Sequence, residues 1–250
     1  MLMHAELRLL LALARDHFRN EGFIVDAGAF LGGSTAALGA GLLANPRYRA
    51  SPRKGVIVSY DLFHTGSVWG TAGMRFFEPG TPKGADFLPQ FRANTAFIGD
   101  ALEIRSGDIT QTGPVPAPVE ILFIDVAKTC RVNDWVVRHF FPALIPGHSL
   151  VIQQDYLWTG WNGWIHATME HYSDHFEMLD HTESNSVVFR YVKPIPAGEI
   201  PEHLVETMSR SRILELQANA MSRFTGRQRD ILAESRRQLE EYLAKWHPTP

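Results

Sequence analysis

Cysteine is nearly absent: Cys130 is the only one in 250 residues. A lone thiol closes no internal disulfide and cannot build a thiolate zinc site. Long apolar runs are missing as well. The apolar stretch near the N-terminus, Leu9 to Ala14, falls far short of the roughly 20 residues that cross a bilayer, and no small-residue cleavage site follows it. The expectation is a cytoplasmic protein without a membrane partner. Basic charge is not in excess either: 24 Lys and Arg stand against 27 Asp and Glu, for a net charge of −3. A nucleic-acid partner is therefore not expected, because counterion release needs a concentrated basic surface. Internal repeats and low-complexity tracts are also lacking. What is present is ordinary globular composition, 45% hydrophobic and 20% charged, enough for one α/β domain with an appendage and suited to a small-molecule substrate.

Strand and helix patterns alternate along residues 1–193. An amphipathic helix to about Phe18 precedes the buried strand Phe23-Ile24-Val25, and a helix rich in Ala and Leu then runs to Ala44, with Ser34-Thr35 expected as its N-cap. Further apolar strands are expected at Val56–Tyr60, Leu102–Arg105, Val119–Ile124 and Ser149–Gln153, with two more at Phe176–Leu179 and Ser186–Val192. Helices are expected near 87–97, 132–144 and 163–172. The glycines and prolines between Leu62 and Pro89 mark a long loop, read as a lid or insertion. Such alternation predicts a parallel sheet flanked by helices on both faces, with ligands at the carboxyl ends of its strands. After Pro194 and Pro196 the composition turns polar and arginine-rich. Residues 194–250 read as two helices, 202–224 and 227–246, with apolar stripes Ile213, Leu216, Ala220, Phe224 and Leu239, Tyr242, Trp246. They either pack as a hairpin on their own sheet or exchange with a second subunit to make a homo-oligomer.

The first strand–loop–helix carries the strongest chemical signal. Asp26-x-Gly28-x-x-x-Gly32-Gly33-Ser34 places glycines where backbone can approach a ligand, ahead of a helix N-terminus with free N–H donors. The second strand ends on Asp61, placed to accept hydrogen bonds from both hydroxyls of a ribose. Together they read as a site for a nucleoside-bearing cofactor. A dinucleotide dehydrogenase would carry Gly-x-Gly-x-x-Gly, and Phe30 stands where its second glycine belongs. The plain alternative is a tight turn with Asp61 as a loop cap. Gly32-Gly33-Ser34-Thr35 lacks the geometry of a hydrolase nucleophile elbow, which puts its serine directly after the strand.

With these residues the chain resembles the class I S-adenosylmethionine-dependent methyltransferases. Phe23 to Thr35 is similar to their first motif, Asp61 to their ribose-binding acid, Gly107-Asp108 to the loop beside the adenine, and Ile121 to Asp125 to the strand beneath the substrate. The resemblance spans roughly Asn20 to Val192. It implies a Rossmann-like seven-stranded sheet with the last strand antiparallel, a methyltransferase domain over 1–193 and a C-terminal helical extension over 194–250. It further implies that Asp26, Gly28, Gly32, Ser34, Asp61, Asp108 and Asp125 hold S-adenosylmethionine, and that a methyl passes to a small-molecule or sugar hydroxyl.

Asp125-x-x-Lys128 followed by Gln154-Asp155-x-Leu157-Trp158 is similar to the cation-dependent small-molecule O-methyltransferases, such as the catechol and caffeoyl-CoA enzymes. That resemblance implies Asp125, Gln154 and Asp155 as oxygen ligands of Mg2+, with Asp125 and Lys128 catalytic and Lys128 the base. The amide and the acid of the last two positions are exchanged relative to the family. If no metal binds, Asp125 and Asp155 are expected as acceptors of loop N–H groups and Lys128 as a solvated helix-end lysine. Without a metal, a base at Lys128 needs a pKa well below its ordinary value near 10.4, and two neighbouring carboxylates must raise one pKa or turn apart. Trp158, Trp161 and Trp164, with His166, follow the fifth strand and either stack an acceptor or fill the core. His171 and His175 read as a surface pair. A different class also stays open: a methyltransferase-like protein that binds the cofactor in an assembly role without turnover.

Overall fold

The computed structural model describes residues 2–67 and 73–246. Residues 68–72 of the expected lid, and the side chain of Trp246, lie outside the described residues. Seven strands, β1 (Phe23–Ala27), β2 (Ile57–Asp61), β3 (Leu102–Ser106), β4 (Val119–Ile124), β5 (Leu150–Gln153), β6 (Phe176–His181) and β7 (Val187–Tyr191), form one sheet in the order β3-β2-β1-β4-β5-β7-β6. Two compact units divide the chain, residues 1–115 and 116–250.

In the first unit β1, β2 and β3 pair in parallel, Val25 opposite Val58 and Val58 opposite Glu103. Each of β1 and β2 is an apolar run buried on both faces, the pattern of a strand with helices above and below. Helix α1 (His4–Ala12) continues through a π-turn to His17 and packs against α2 (Gly33–Ala44). The two backbones approach so closely that a Cβ at Gly41 would stand 2.2 Å from the Leu11 carbonyl oxygen, so only glycine fits there. Asn45 ends α2 and opens α3 (Pro46–Ala50). Its amide donates to the carbonyls of Ala14, Arg15 and Phe18, and its Oδ1 accepts from the N–H groups of Arg47 and Tyr48. One buried side chain thus satisfies the ends of two helices. Beyond the long loop, α4 (Leu88–Thr95) leads to β3, and a single turn, α5 (Ile109–Thr112), follows it.

In the second unit β4 pairs in parallel with β5, β5 pairs antiparallel with β7, and β6 completes the edge with a bulge between Met178 and Asp180. Helix α6 (Cys130–Phe140) starts two residues earlier than its apolar pattern suggests, because the Thr129 hydroxyl accepts from Val132 N–H and caps it. Helix α7 (Trp164–His171) follows β5. The C-terminal helices are α8 (Arg210–Ser222) and α9 (Gly226–Trp246). α8 begins at 210 rather than 202, since Ser209 is its N-cap. Ile213, Leu216, Ala220 and Phe224, with Leu232, Leu239 and Leu243, are buried within the single chain. α8 lies on α7, and Arg223 pairs with Glu170 at 2.5 Å. The segment before α8 is held by Asp134 of α6, whose carboxylate accepts from Val205 and Glu206 N–H at 2.9 and 3.0 Å.

Candidate active site

The glycine loop of the first unit is shaped by residues that no ordinary backbone accommodates. Gly28 and Gly32 have φ of 102° and 92°, and Phe30 between them has φ 47°. A Cβ at Gly32 would also stand 2.8 Å from Thr95 Cγ2. The expected Ser34-Thr35 N-cap is not formed: Gly32 is the capping residue, and no side chain caps α2. The physical reason is Asp26. Its wholly buried carboxylate accepts from the Ser34 hydroxyl, at 3.0 and 2.9 Å, and from Thr35, which also meets Ser59 at 3.0 Å. The hydroxyls tie α2 down to β1, and Gly32, having no side chain, offers no cap at the start of α2.

Asp61 joins the loops of this unit. Its Oδ2 accepts from Phe30 N–H of the glycine loop at 2.9 Å and its Oδ1 from Phe63 N–H, at the start of the long loop, at 2.8 Å. Its carbonyl accepts from Gly107 N–H at 2.9 Å. Burial pushes the Asp61 carboxyl above its ordinary pKa against the pull of these backbone donors. Each oxygen keeps lone pairs for further donors. Asp108 caps α5 by accepting from Thr110 N–H at 2.9 Å, and it is exposed. The long loop packs on Phe30, with the rings of Phe76, Phe77 and Phe87 at centroid distances of 6.3, 5.8 and 5.5 Å. Uncapped helix start, left-handed glycines and an acid with spare acceptor capacity fit a nucleoside-bearing sulfonium donor.

In the second unit Asp125 follows β4 and Asp155 follows β5. They meet through Lys128, whose Nζ lies 2.5 Å from Asp125 Oδ1 and also bonds Asp155 Oδ2. Asp155 takes φ 65°, a left-handed conformation that aspartate tolerates better than most residues and that aims its carboxylate at the lysine. Burial pushes Asp125 up to about 6 against the attraction of Lys128. Burial works against the lysine's charge, but attraction to Asp125 and Asp155 outweighs it and holds Lys128 above its ordinary pKa. A lysine base needs a shift in the other direction. Gln154 is buried, and its Oε1 has no hydrogen-bond donor. All three neighbouring side chains offer hard oxygens that suit magnesium, while the Lys128 ammonium already bonds both carboxylates. Among the described residues no three His, Cys, Asp or Glu side chains converge on one point.

The tryptophans divide. Trp164 is fully buried and donates from Nε1 to the Ala127 carbonyl at 2.9 Å, while Trp158 and Trp161 are half-buried with ring centroids 5.4 Å apart. His166 is fully buried; its Nε2 lies 2.6 Å from the Tyr156 carbonyl, so the proton sits on Nε2 and Nδ1 is an acceptor without a partner. Burial lowers its pKa to about 4. The expected surface pair is corrected at His175, which is buried with Nδ1 3.1 Å from the Lys193 carbonyl; only His171 is exposed. Sequence reasoning missed Ser235, and it read Tyr242 only as part of an apolar stripe. Ser235 reaches the Gly160 carbonyl at 2.7 Å across 75 residues and Tyr242 packs on Trp164, contacts that no local pattern encodes.

The sheet order, with β7 antiparallel and helices joining the strands, is the class I methyltransferase fold. Solved structures with the same fold include the O-methyltransferase NovP, at 15% identity over 76% of this chain and 80% of that one, with a TM-score of 0.56. The calicheamicin methyltransferase CalS11 matches at 17% identity over 75% and 79%, with a TM-score of 0.54. Cofactor-bound Rv0187 from MTB matches at 16% identity over 78% and 83%, with a TM-score of 0.52. No family model matches the chain, and no curated protein matches it significantly. Among the described residues no helix is long and apolar enough to cross a membrane.

Proposed function

We propose that the protein is an S-adenosylmethionine-dependent O-methyltransferase acting on a small-molecule or sugar hydroxyl. The observation that carries this reading is Asp61, bonded at once to the glycine loop, the long loop and Gly107. The three loops expected around a nucleoside thus converge on the one acid suited to a ribose. The methyltransferases NovP and CalS11, alike in fold, support the reaction class.

S-adenosylmethionine, when bound, supplies a methyl on a sulfonium. Asp61 accepts from the ribose hydroxyls, Gly28 and Gly32 keep side chains out of the ligand's space, and Asp108 flanks the base. Asp26 acts through Ser34 and Thr35 by fixing where α2 begins. Methyl transfer from the sulfonium to an acceptor hydroxyl would leave the thioether and release the hydroxyl proton, which a residue of this chain would have to take up. In the second unit Lys128 stays charged and fixes the two carboxylates, and Asp125 takes the proton. A second reading, with Asp125, Gln154 and Asp155 holding Mg2+ that acidifies the hydroxyl, is favoured by the buried Gln154 Oε1 without a donor.

Calorimetry with S-adenosylmethionine and its demethylated product, with and without magnesium, tests both. Binding of both ligands is expected. No binding of either overturns the function, and an affinity or heat that changes with magnesium selects the second reading over Lys128 alone.

A further inference from the structure

The turn that follows β3 is held at both ends by Tyr60 and Asp61, the last residues of β2. At its start, Gly107 N–H donates to the Asp61 carbonyl at 2.9 Å. At its far end, the Tyr60 hydroxyl donates to the Gly113 carbonyl at 3.1 Å. Arg105, directly opposite Tyr60 in the parallel β2–β3 pair, completes the hold. Its Nη1 donates to the Gly113 and Pro114 carbonyls at 2.9 and 2.8 Å and to the Tyr60 hydroxyl oxygen at 2.9 Å. Its Nε donates to Glu103 Oε1 at 2.7 Å, which fixes the plane of the guanidinium, and the cation stands 5.4 Å from the centre of the Tyr60 ring.

Between these holds lie Asp108, the buried Ile109 and the single turn α5, which Gly113 ends at φ 77°. A helix that short keeps its place poorly on its own hydrogen bonds. Arginine suits the task, because it stays charged and presents its donors in a rigid fork. Tyr60 is fully buried, and burial pushes its phenol up to about 12, so the hydroxyl keeps the proton it donates. With no exposed surface to offer a ligand, Tyr60 can only place other groups. Its carbonyl accepts from Gly28 and Ala29 N–H at 2.9 and 3.1 Å. One residue therefore ties the glycine loop by its backbone and the Asp108 turn by its side chain.

We propose that Arg105 and the Tyr60 hydroxyl are positioning residues for the base end of the cofactor: by clamping the Gly113 and Pro114 carbonyls they set where Asp108 stands relative to Asp61. The inference rests on the methyl-transfer reading above and gives a role to two residues that reading leaves out. A lost clamp acts on the nucleoside, in whichever ligand carries it, and spares the amino-acid arm of the cofactor.

Calorimetry on the full chain with the demethylated cofactor product and with adenosine tests this. Arg105→Met, which keeps the aliphatic stem and removes every donor, should weaken product binding roughly 2- to 30-fold, and adenosine binding by the same factor. Arg105→Lys restores a donor for the two carbonyls and should recover part of the loss. Tyr60→Phe keeps the buried ring and should show a smaller loss of the same kind; these two variants decide the question if the methionine variant does not fold. In the free protein the amides of 109–112 should exchange with deuterium faster in Arg105→Met than in the original, and product should restore their protection. Unaltered affinity for both ligands in the folded variants overturns the proposal. So does a loss greater for the product than for adenosine, which would put the damage at the amino-acid arm. An original chain that binds neither ligand overturns the methyl-transfer reading and, with it, this assignment.

Discussion

Asp61 and Lys128 are each a single side chain on which several others depend. A charge-assisted hydrogen bond contributes about 1.5–3 kcal/mol, so Asp61→Ala should weaken cofactor binding roughly 10- to 150-fold by calorimetry. The same variant strands the N–H groups of Phe30 and Phe63, and a lower melting temperature should accompany the lost affinity. Unchanged affinity in a folded variant would remove Asp61 from the site. Lys128→Met leaves Asp125 and Asp155 facing each other without their ammonium. Removing one partner of a buried pair costs 3–5 kcal/mol, and partial solvent access brings the expected loss to about 3 kcal/mol or less. The loss at pH 5 should be smaller than at pH 7, because a carboxylate without its counter-charge takes up a proton more readily. An equal loss at both pH values by thermal melts would show that the pairing carries no weight.

Among elements, the glycine loop between β1 and α2 was the most legible in the sequence. Gly28, Gly32 and an acid closing the next strand form a short-range pattern, and the buried strands announced themselves as apolar runs. The N-cap was not legible, because the Ser34 and Thr35 hydroxyls turn back to Asp26 eight and nine residues earlier instead of to their own helix. Lys128 and Asp125 are visible as an i, i+3 pair, but Asp155 joins them only because β4 and β5 are paired neighbours. Gly28→Val should abolish cofactor binding, since a branched Cβ at φ 102° strains the backbone as well as filling ligand space. Calorimetry on the folded variant decides this, and wild-type affinity would reduce the loop to a turn.

For the whole molecule, His166 links stability to pH. Its pKa is about 4 in the folded chain against 6.5 in the unfolded one, so the unfolded state binds more protons between those values. The stability it contributes is present above pH 6.5 and is lost as pH falls toward 4, an effect on the order of 3 kcal/mol. His166→Gln should flatten the fall in melting temperature between pH 7 and pH 4.5. An unchanged slope would place the sensitivity elsewhere. The C-terminal extension belongs to this scale too. Its stripes were legible as amphipathic helices, but their partners in α7 and in the loop after β5 were not. Truncation after residue 209 should uncover the apolar face of α7 and make the protein bind a hydrophobic dye, an outcome absent if the extension were an independent appendage.

The bond from Ser235 to Gly160 also has a consequence for synthesis on the ribosome. The two residues are 75 apart in the chain, and translation proceeds at about 5–20 residues per second, so Gly160 emerges about 4–15 s before the hydroxyl that will hold it. During that interval the loop after β5 has no backing, while β4, β5 and the carboxylates beyond them are already outside the exit tunnel. The loop after β5 therefore gains its backing only after the strands that carry it have left the tunnel and can pair.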